Sequence, residues 1–183
     1  MGLFSTLALQ GFALSCPIDK SNGGTEVPLP NNIEKFLADN GVDHTVHTHD
    51  PFLTMEDAMS FDDRIGAVGL KNVLVETAGG LLIAMVMPEK RIDFKAIKAL
   101  GYTKPKLWKF HEGDSLDLGP QGSLSIFDAV VNPGVGVLVD KEIFSTERVA
   151  MHPRDNSQTV EFATLDFKRL VEELSNSTRI AAM

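Results

Sequence analysis

Apolar residues recur along this chain in short blocks set off by glycine, proline and polar turns, and the spacing inside each block predicts its element. Ile33, Phe36 and Leu37 fall on one side of a helix over 32–40, with Gly41 as its C-terminal stop. Residues 43–49 alternate as a strand. Residues 54–60 predict a second helix, with Thr54 as cap and Glu56 and Asp57 in its first turn. Gly69-Leu70-Lys71-Asn72-Val73-Leu74-Val75 reads as a loop entering a strand, with Lys71, Val73 and Val75 on one face and Asn72 and Leu74 on the other. The run 81–87 is apolar at every position, as in a central strand covered on both faces, and the Gly79-Gly80 turn makes the two strands a hairpin. Asp93 caps a short helix that turns Phe94, Ile97 and Leu100 inward and ends at Gly101. Residues 106–110 form a short strand and 113–133 are turn-rich. Three more strands follow at 136–140, 148–152 and 159–163. Thr164 then caps a last helix with Phe167, Leu170, Val171 and Leu174 on one stripe.

Strands this short and this closely spaced leave little room for repeated right-handed crossovers. The prediction is a mixed α/β domain over 31–178 with a largely antiparallel sheet surrounded by short helices. Residues 1–30 read as an extension and linker. Residues 1–15 are apolar and uncharged: they have the length of a signal peptide's apolar region without its basic leader, and Met1-Gly2 with Thr6 fits the loose myristoylation pattern. The reading preferred here is an extra strand or short helix packed on the domain, followed by a Gly-, Asn- and Pro-rich linker over 20–30.

Composition narrows the class. At 183 residues and 43% hydrophobic content the chain can bury one sizeable core. A mean hydropathy of +0.00, with no apolar run of membrane-spanning length, predicts no transmembrane segment. The single cysteine, Cys16, excludes an intramolecular disulfide and fits a reducing, cytoplasmic setting. A net charge of -8 argues against a surface that coats DNA or RNA broadly. Yet 7 of the 17 basic residues lie between Lys90 and Lys109, opposed only by Asp93. That strip is either a solvated helix face with a loop or a local polyanion contact.

The candidate chemistry is mostly defined by what is missing. His44, His47 and His49 invite a metal, but only His47 and His49 share a strand face and no third ligand beyond Asp43 or Asp50 is near, so a polar strand face is the reading. Gly-x-Ser-x-Gly, a phosphate loop, a dinucleotide fingerprint and paired catalytic carboxylates are all absent from the sequence. Any catalysis then rests on positioning and backbone donors. Lys71, an ammonium at a strand's entry, either lays its stem on the core or aims its cation into a cleft. Gly122-Ser123-Leu124-Ser125 can present backbone N–H groups to an oxygen, and His152 and Asn156, in the loop between two strands, can orient a polar substrate.

Those three stretches also carry a resemblance. Lys71-Asn72-Val73-Leu74-Val75, then Gly122-Ser123-Leu124-Ser125-Ile126-Phe127, then His152-Pro153 with Asn156 and Thr159 come in the order and spacing of the YbaK/prolyl-tRNA synthetase-associated editing domains. The likeness runs from about Ile33 to Leu174 and is strongest to freestanding proteins that clear alanine from proline tRNA. It implies a curled sheet of six or more strands. It also implies a hydrolase, without metal or cofactor, that cuts the ester between a wrong amino acid and the tRNA 3′ end. Lys71 would hold the substrate near its terminal adenosine, and backbone groups of Gly122 and Ser123 would position the aminoacyl carbonyl. A water would attack with help from the tRNA's own ribose hydroxyl. Asn72, Leu124, Ile126, His152 and Asn156 would line a small aminoacyl pocket that spares proline. Charge density alone, rather than the resemblance, assigns Lys95, Lys98, Lys104 and Lys106 to the acceptor stem, and prolyl-tRNA synthetase or another synthetase is the expected protein partner. Ile126 stands where the family commonly has proline, which leaves Cys-tRNA or another small mischarged product as an alternative. A non-catalytic tRNA-binding module of the same fold is the alternative from a different class.

Overall fold

The structure, a computed structural model, describes residues 28–52, 55–109, 116–120, 122–174 and 178–183. The apolar segment 1–15, Cys16, most of the 20–30 linker, the Thr54 cap and part of 113–133 lie outside the described residues. No helix among the described residues is long and apolar enough to cross a membrane.

The chain runs α1 (Asn31–Asp39), β1 (His44–Thr48), α2 (Met55–Ile65), β2 (Val68–Gly69), β3 (Lys71–Thr77), β4 (Gly80–Val86), α3 (Phe94–Ala99), β5 (Lys106–Leu107), α4 (Ile126–Val131) and β6 (Gly136–Asp140). A 3-10 turn (Lys141–Ser145), β7 (Arg148–Met151), β8 (Gln158–Ala163), α5 (Thr164–Glu173) and β9 (Thr178–Ala181) complete it. The mixed α/β class is as expected, but the strands divide between two sheets, ordered β1-β8-β7-β2 and β5-β3-β4-β6-β9. Antiparallel pairs dominate only narrowly, because β2·β7, β4·β6 and β6·β9 are parallel. Spacing between neighbouring strands predicted hairpins. The parallel pairs join strands far apart in sequence, and the long excursion between β4 and β6 supplies the crossover.

The predicted hairpin forms, with Lys71 opposite Val86 and Thr77 opposite Gly80. β4 is central, between β3 and β6, and its alternation feeds two cores. Ile83 and Met85 join the main cluster with Phe127, Phe162 and Phe167, while Leu82 and Ala84 pack with Val75, Leu138 and Ile97 of α3. Asp93 caps α3 as predicted, accepting from the amides of Lys95 and Ala96.

Four elements depart from expectation. α2 continues to Ile65, and α4 occupies part of the supposed turn-rich stretch. β9 pairs with β6 beyond the predicted domain end, at Asp140 opposite Ala181. Thr164 is the first helical residue of α5 rather than its cap, and its hydroxyl lies 3.0 Å from that of Thr146. The linker also ends in structure, since Leu29 is buried in the main core.

The passage between the sheets positions the site. β2 closes one sheet's edge and β3 belongs to the other, so the chain crosses through Leu70 alone. The Leu70 amide donates to the Ala150 carbonyl of β7 at 3.3 Å, which anchors the crossing.

Candidate active site

A cavity of about 730 Å³ opens beside this crossing. Its wall takes Lys71 and Asn72 from β3, Asp62 from α2, Gly122 and Leu124 from the glycine loop, and His152, Asn156 and Thr159 from β8 and the β7–β8 loop. Three stretches singled out in the sequence therefore meet at one wall. The volume falls within the roughly 300–1,000 Å³ usual for small-molecule sites.

Lys71 is half-buried and its ammonium donates to the Lys90 carbonyl at 2.6 Å. Lys90 is fixed in turn: its own ammonium bonds buried Asp140 at 2.8 Å and pairs with Glu142. Hydrogen bonds to Asp140 and then Glu142 raise the Lys90 pKa above the usual lysine range. Lys90 thus serves as a strut under Lys71, not as part of a free basic strip. Asn72, on the opposite strand face, donates through Nδ2 to the Leu124 carbonyl at 2.8 Å and so ties β3 to the glycine loop. Its Oδ1 is buried and has no hydrogen-bond partner among the described residues.

The glycine loop is locked from within. Gly122 adopts φ +92°, a conformation that a side chain would strain. Ser123 is fully buried, with its amide and hydroxyl both donating to the Pro120 carbonyl at 3.0 and 2.8 Å. Ser123 closes the turn, and the expectation that its backbone N–H faces a substrate does not hold. Ile126 corrects a second expectation: as the first residue of α4 it is fully buried in the main core, away from the cavity wall. Ser125 caps α4 reciprocally with Asp128, which accepts the Ser125 amide at 2.8 Å. Asp128 also takes the Gly119 amide at 3.1 Å and Arg154 Nε at 3.1 Å. Arg154 reaches on to Asp117, so one buried carboxylate ties the glycine loop to the β7–β8 loop. Contact is close enough that a Cβ at Gly119 would fall 2.9 Å from the Arg154 carbonyl oxygen.

His152 donates Nδ1–H to the Gln158 carbonyl at 2.6 Å, because a carbonyl can only accept. Burial, reinforced by nearby His49, pushes its pKa below the ordinary histidine value, so the ring is neutral near pH 7 and Nε2 is an acceptor. Its neighbours are Phe52 and His49, with ring centroids at 5.7 and 5.8 Å. Thr159 contributes the only hydroxyl side chain among the described wall residues, and it lies 2.9 Å from His49 Nε2. The three β1-region histidines go separate ways. His44 bonds the Val42 carbonyl, His47 bonds Glu161 at 2.7 Å, and His49 bonds Thr159 and the Asp50 carbonyl. No group of three metal-ligating side chains occurs among the described residues.

Asp62 was not anticipated. Burial first, and Asp63 second, push its carboxyl up to about 7, against an opposing hydrogen bond from Gly69. Extending α2 to Ile65 would have revealed it, since helical spacing places Asp62 on the side of Ala58 and Met59, both wall residues. Of the basic strip, Lys95, Lys98, Lys104 and Lys106 are all exposed, and Lys106 also pairs with Glu76 at 3.2 Å. Lys106 neighbours Leu107, which lies on the wall.

Comparison with known proteins places this geometry. A family model described as the aminoacyl-tRNA editing domain matches residues 49–170. The prolyl-tRNA editing protein ProX of Acetoanaerobium sticklandii is 28% identical over 145 residues, covering 74% of this chain and 86% of that protein. Among solved structures, the hypothetical protein APE2540 superposes with a TM-score of 0.67 at 17% identity, covering 83% of this chain and 98% of its own. A structure described as a candidate trans-editing enzyme for prolyl tRNA synthetase gives 0.61 at 13% identity, covering 85% of this chain and 98% of its own. At those identities the two structures speak for the fold alone.

Proposed function

Since the chain belongs to the aminoacyl-tRNA editing domain family, we propose that its cavity hydrolyses the ester joining a wrongly attached amino acid to the 3′ end of a tRNA, with alanyl-tRNA for proline as preferred substrate. The observation that carries this reading is the convergence of Lys71, Asn72, Gly122, His152 and Asn156, from three distant stretches, on one wall. Lys71 offers a cation at the crossing for the phosphate or ribose of the terminal adenosine. Neutral His152 offers Nε2 as an acceptor for a substrate hydroxyl proton. The glycine loop, with Ser123 turned inward, presents Gly122 and Leu124 to the aminoacyl group.

In this reading Thr159, the one hydroxyl side chain on the described wall, keeps a structural hydrogen bond to His49 and is not the attacking group. Water therefore attacks the ester carbonyl, directed by the substrate's own ribose hydroxyl. The tetrahedral intermediate collapses as the tRNA oxygen leaves with a proton, giving free amino acid and intact tRNA. Substrate selection by size alone reaches roughly 1–3 kcal/mol per methylene-sized difference, so the tRNA or its synthetase contributes to sparing proline. The partners in this reading are the acceptor end of mischarged tRNA and, in the cytoplasm, prolyl-tRNA synthetase.

A deacylation panel of alanyl-, cysteinyl-, seryl- and prolyl-tRNA with wild type and Lys71→Ala tests it. Rapid loss of alanine, sparing of proline, and a drop of roughly 10²-fold or more for the variant are expected if Lys71 positions the ester. Binding of mischarged tRNA without its hydrolysis would reveal a non-catalytic module instead.

A further inference from the structure

Asp62 has no part in the roles above, yet it is the one carboxylate on a wall whose one permanent cation, among the described residues, is Lys71. Its position is built rather than incidental. The carboxyl fills a niche that exists because residue 69 is glycine: a Cβ there would fall 1.8 Å from Asp62 Oδ2. The Gly69 amide donates to it, so the last residue of β2 fixes the anion while Lys71, two residues on, supplies the cation.

We propose that Asp62 receives the α-ammonium group of the bound aminoacyl ester. This rests on the hydrolase reading above. An aminoacyl-tRNA terminus carries phosphate negative charge and one positive α-amino group close together. A wall with one ammonium and one carboxylate is complementary to both, and such charge-assisted hydrogen bonds are the strong ones. Left unpaired and part-buried, a carboxylate is disfavoured, which is why Asp62 holds its proton up to about pH 7. An ammonium partner reverses that, so binding and ionisation are linked. The charged neighbour acting on Asp62 is Asp63 on α2; Lys71 on β3 and His152 are the other titratable groups on the same wall, and His49 stands behind His152.

The sign follows. As pH falls through about 7, Asp62 takes up a proton and the ammonium loses its partner, so KM rises. As pH rises through about 8, the substrate's own α-amino group discharges and KM rises again. His152 titrates below its ordinary value and does not produce a limb near 7.

The test compares the full chain with Asp62→Asn, which keeps an acceptor for the Gly69 amide, and Gly69→Ala, whose methyl evicts the carboxyl. Steady-state kinetics with alanyl-tRNA and N-acetyl-alanyl-tRNA are measured from about pH 5.5 to 8.5, alongside equilibrium binding of 3′-alanylamido-adenosine and its N-acetyl form. Wild type is expected to favour the free amine by roughly 10-fold or more, seen mainly in KM. Asp62→Asn should erase that preference and the limb near 7 while leaving the N-acetyl substrate unchanged, and Gly69→Ala should follow it. An Asp62→Asn variant that keeps both the preference and the limb overturns the proposal. If wild type hydrolyses no aminoacyl-tRNA but binds the free-amine analogue in an Asp62-dependent way, the hydrolase reading fails and the amine site stands. Equal binding of the two analogues by wild type removes the amine site whatever the activity.

Discussion

Replacing Asp128 by alanine strikes the join between the glycine loop and the β7–β8 loop. The carboxylate is fully buried and accepts three donors: the amides of Gly119 and Ser125 and the Nε of Arg154. Losing the reciprocal cap of α4 costs about 1 kcal/mol. Stranding the buried Ser125 amide adds roughly 1–3 kcal/mol. Removing one partner of a buried ion pair costs about 3–5 kcal/mol, but Arg154 keeps Asp117 through Nη2, so the lower end applies. These contributions overlap, and about 3–5 kcal/mol in all is expected, against a typical domain stability of about 5–15 kcal/mol. Urea unfolding measures it, with Asp128→Asn, which keeps the volume and one acceptor, expected at roughly half the cost. A double-mutant cycle with Arg154→Ala should give a coupling of roughly 1–3 kcal/mol. A loss under about 1 kcal/mol for Asp128→Ala, or a coupling indistinguishable from zero, refutes the staple and leaves the two loops independently placed.

Two further substitutions separate core from site and one binding mode from another. Ile126→Ala should cost about 2–5 kcal/mol of stability and leave the alanyl-to-prolyl hydrolysis ratio unchanged, because the side chain packs in the core; an altered ratio would put Ile126 back at the substrate. Exchanging Lys95, Lys98 and Lys104 for Glu should lower the salt dependence of tRNA binding by roughly 0.7–0.9 in log–log slope per lost phosphate contact. Adding Lys106→Glu should change it less, since Glu76 already holds that ammonium. An unchanged slope removes the strip from the acceptor-stem contact.

Local pattern carried far in this sequence where one periodicity decides an element. The all-apolar run of β4, the Asp93 cap of α3 and the stripe of Phe167, Leu170 and Val171 on α5 are each legible from residue type and spacing. α4 has a local signature too: Ser125, followed three residues later by Asp128 and opening on Ile126-Phe127, is a capping box ahead of an apolar pair. Glycine and proline on either side hid it. Pairing partners were not legible. β9 lies beside β6 through contacts between residues some forty positions apart, and nothing in Thr178–Ala181 alone distinguishes that strand from a tail. The roles of Ser123 and Ile126 failed for a related reason. Sequence places them in the loop, but only the fold says which residue of a tight turn faces inward.

The cavity itself depends on a feature that alternation conceals. Residues 69–75 read as a loop entering one strand, yet with Val68 they serve two sheets, and the change happens at Leu70. A strand that continued straight would leave Gly69 and Lys71 on the same face at neighbouring ladder positions. The crossing instead ends β2 beside α2, where Asp62 seats against Gly69, and begins β3 beside the β4–α3 loop, where the Lys90 carbonyl receives Lys71. Each charge thus has its own anchor on a different element, so they can face one cavity without neutralising each other. Any variant that straightens the crossing, for example by filling the Gly69 niche, moves the anion while leaving the cation's seat intact. Loss of amine recognition without loss of phosphate-end binding is the signature expected of it.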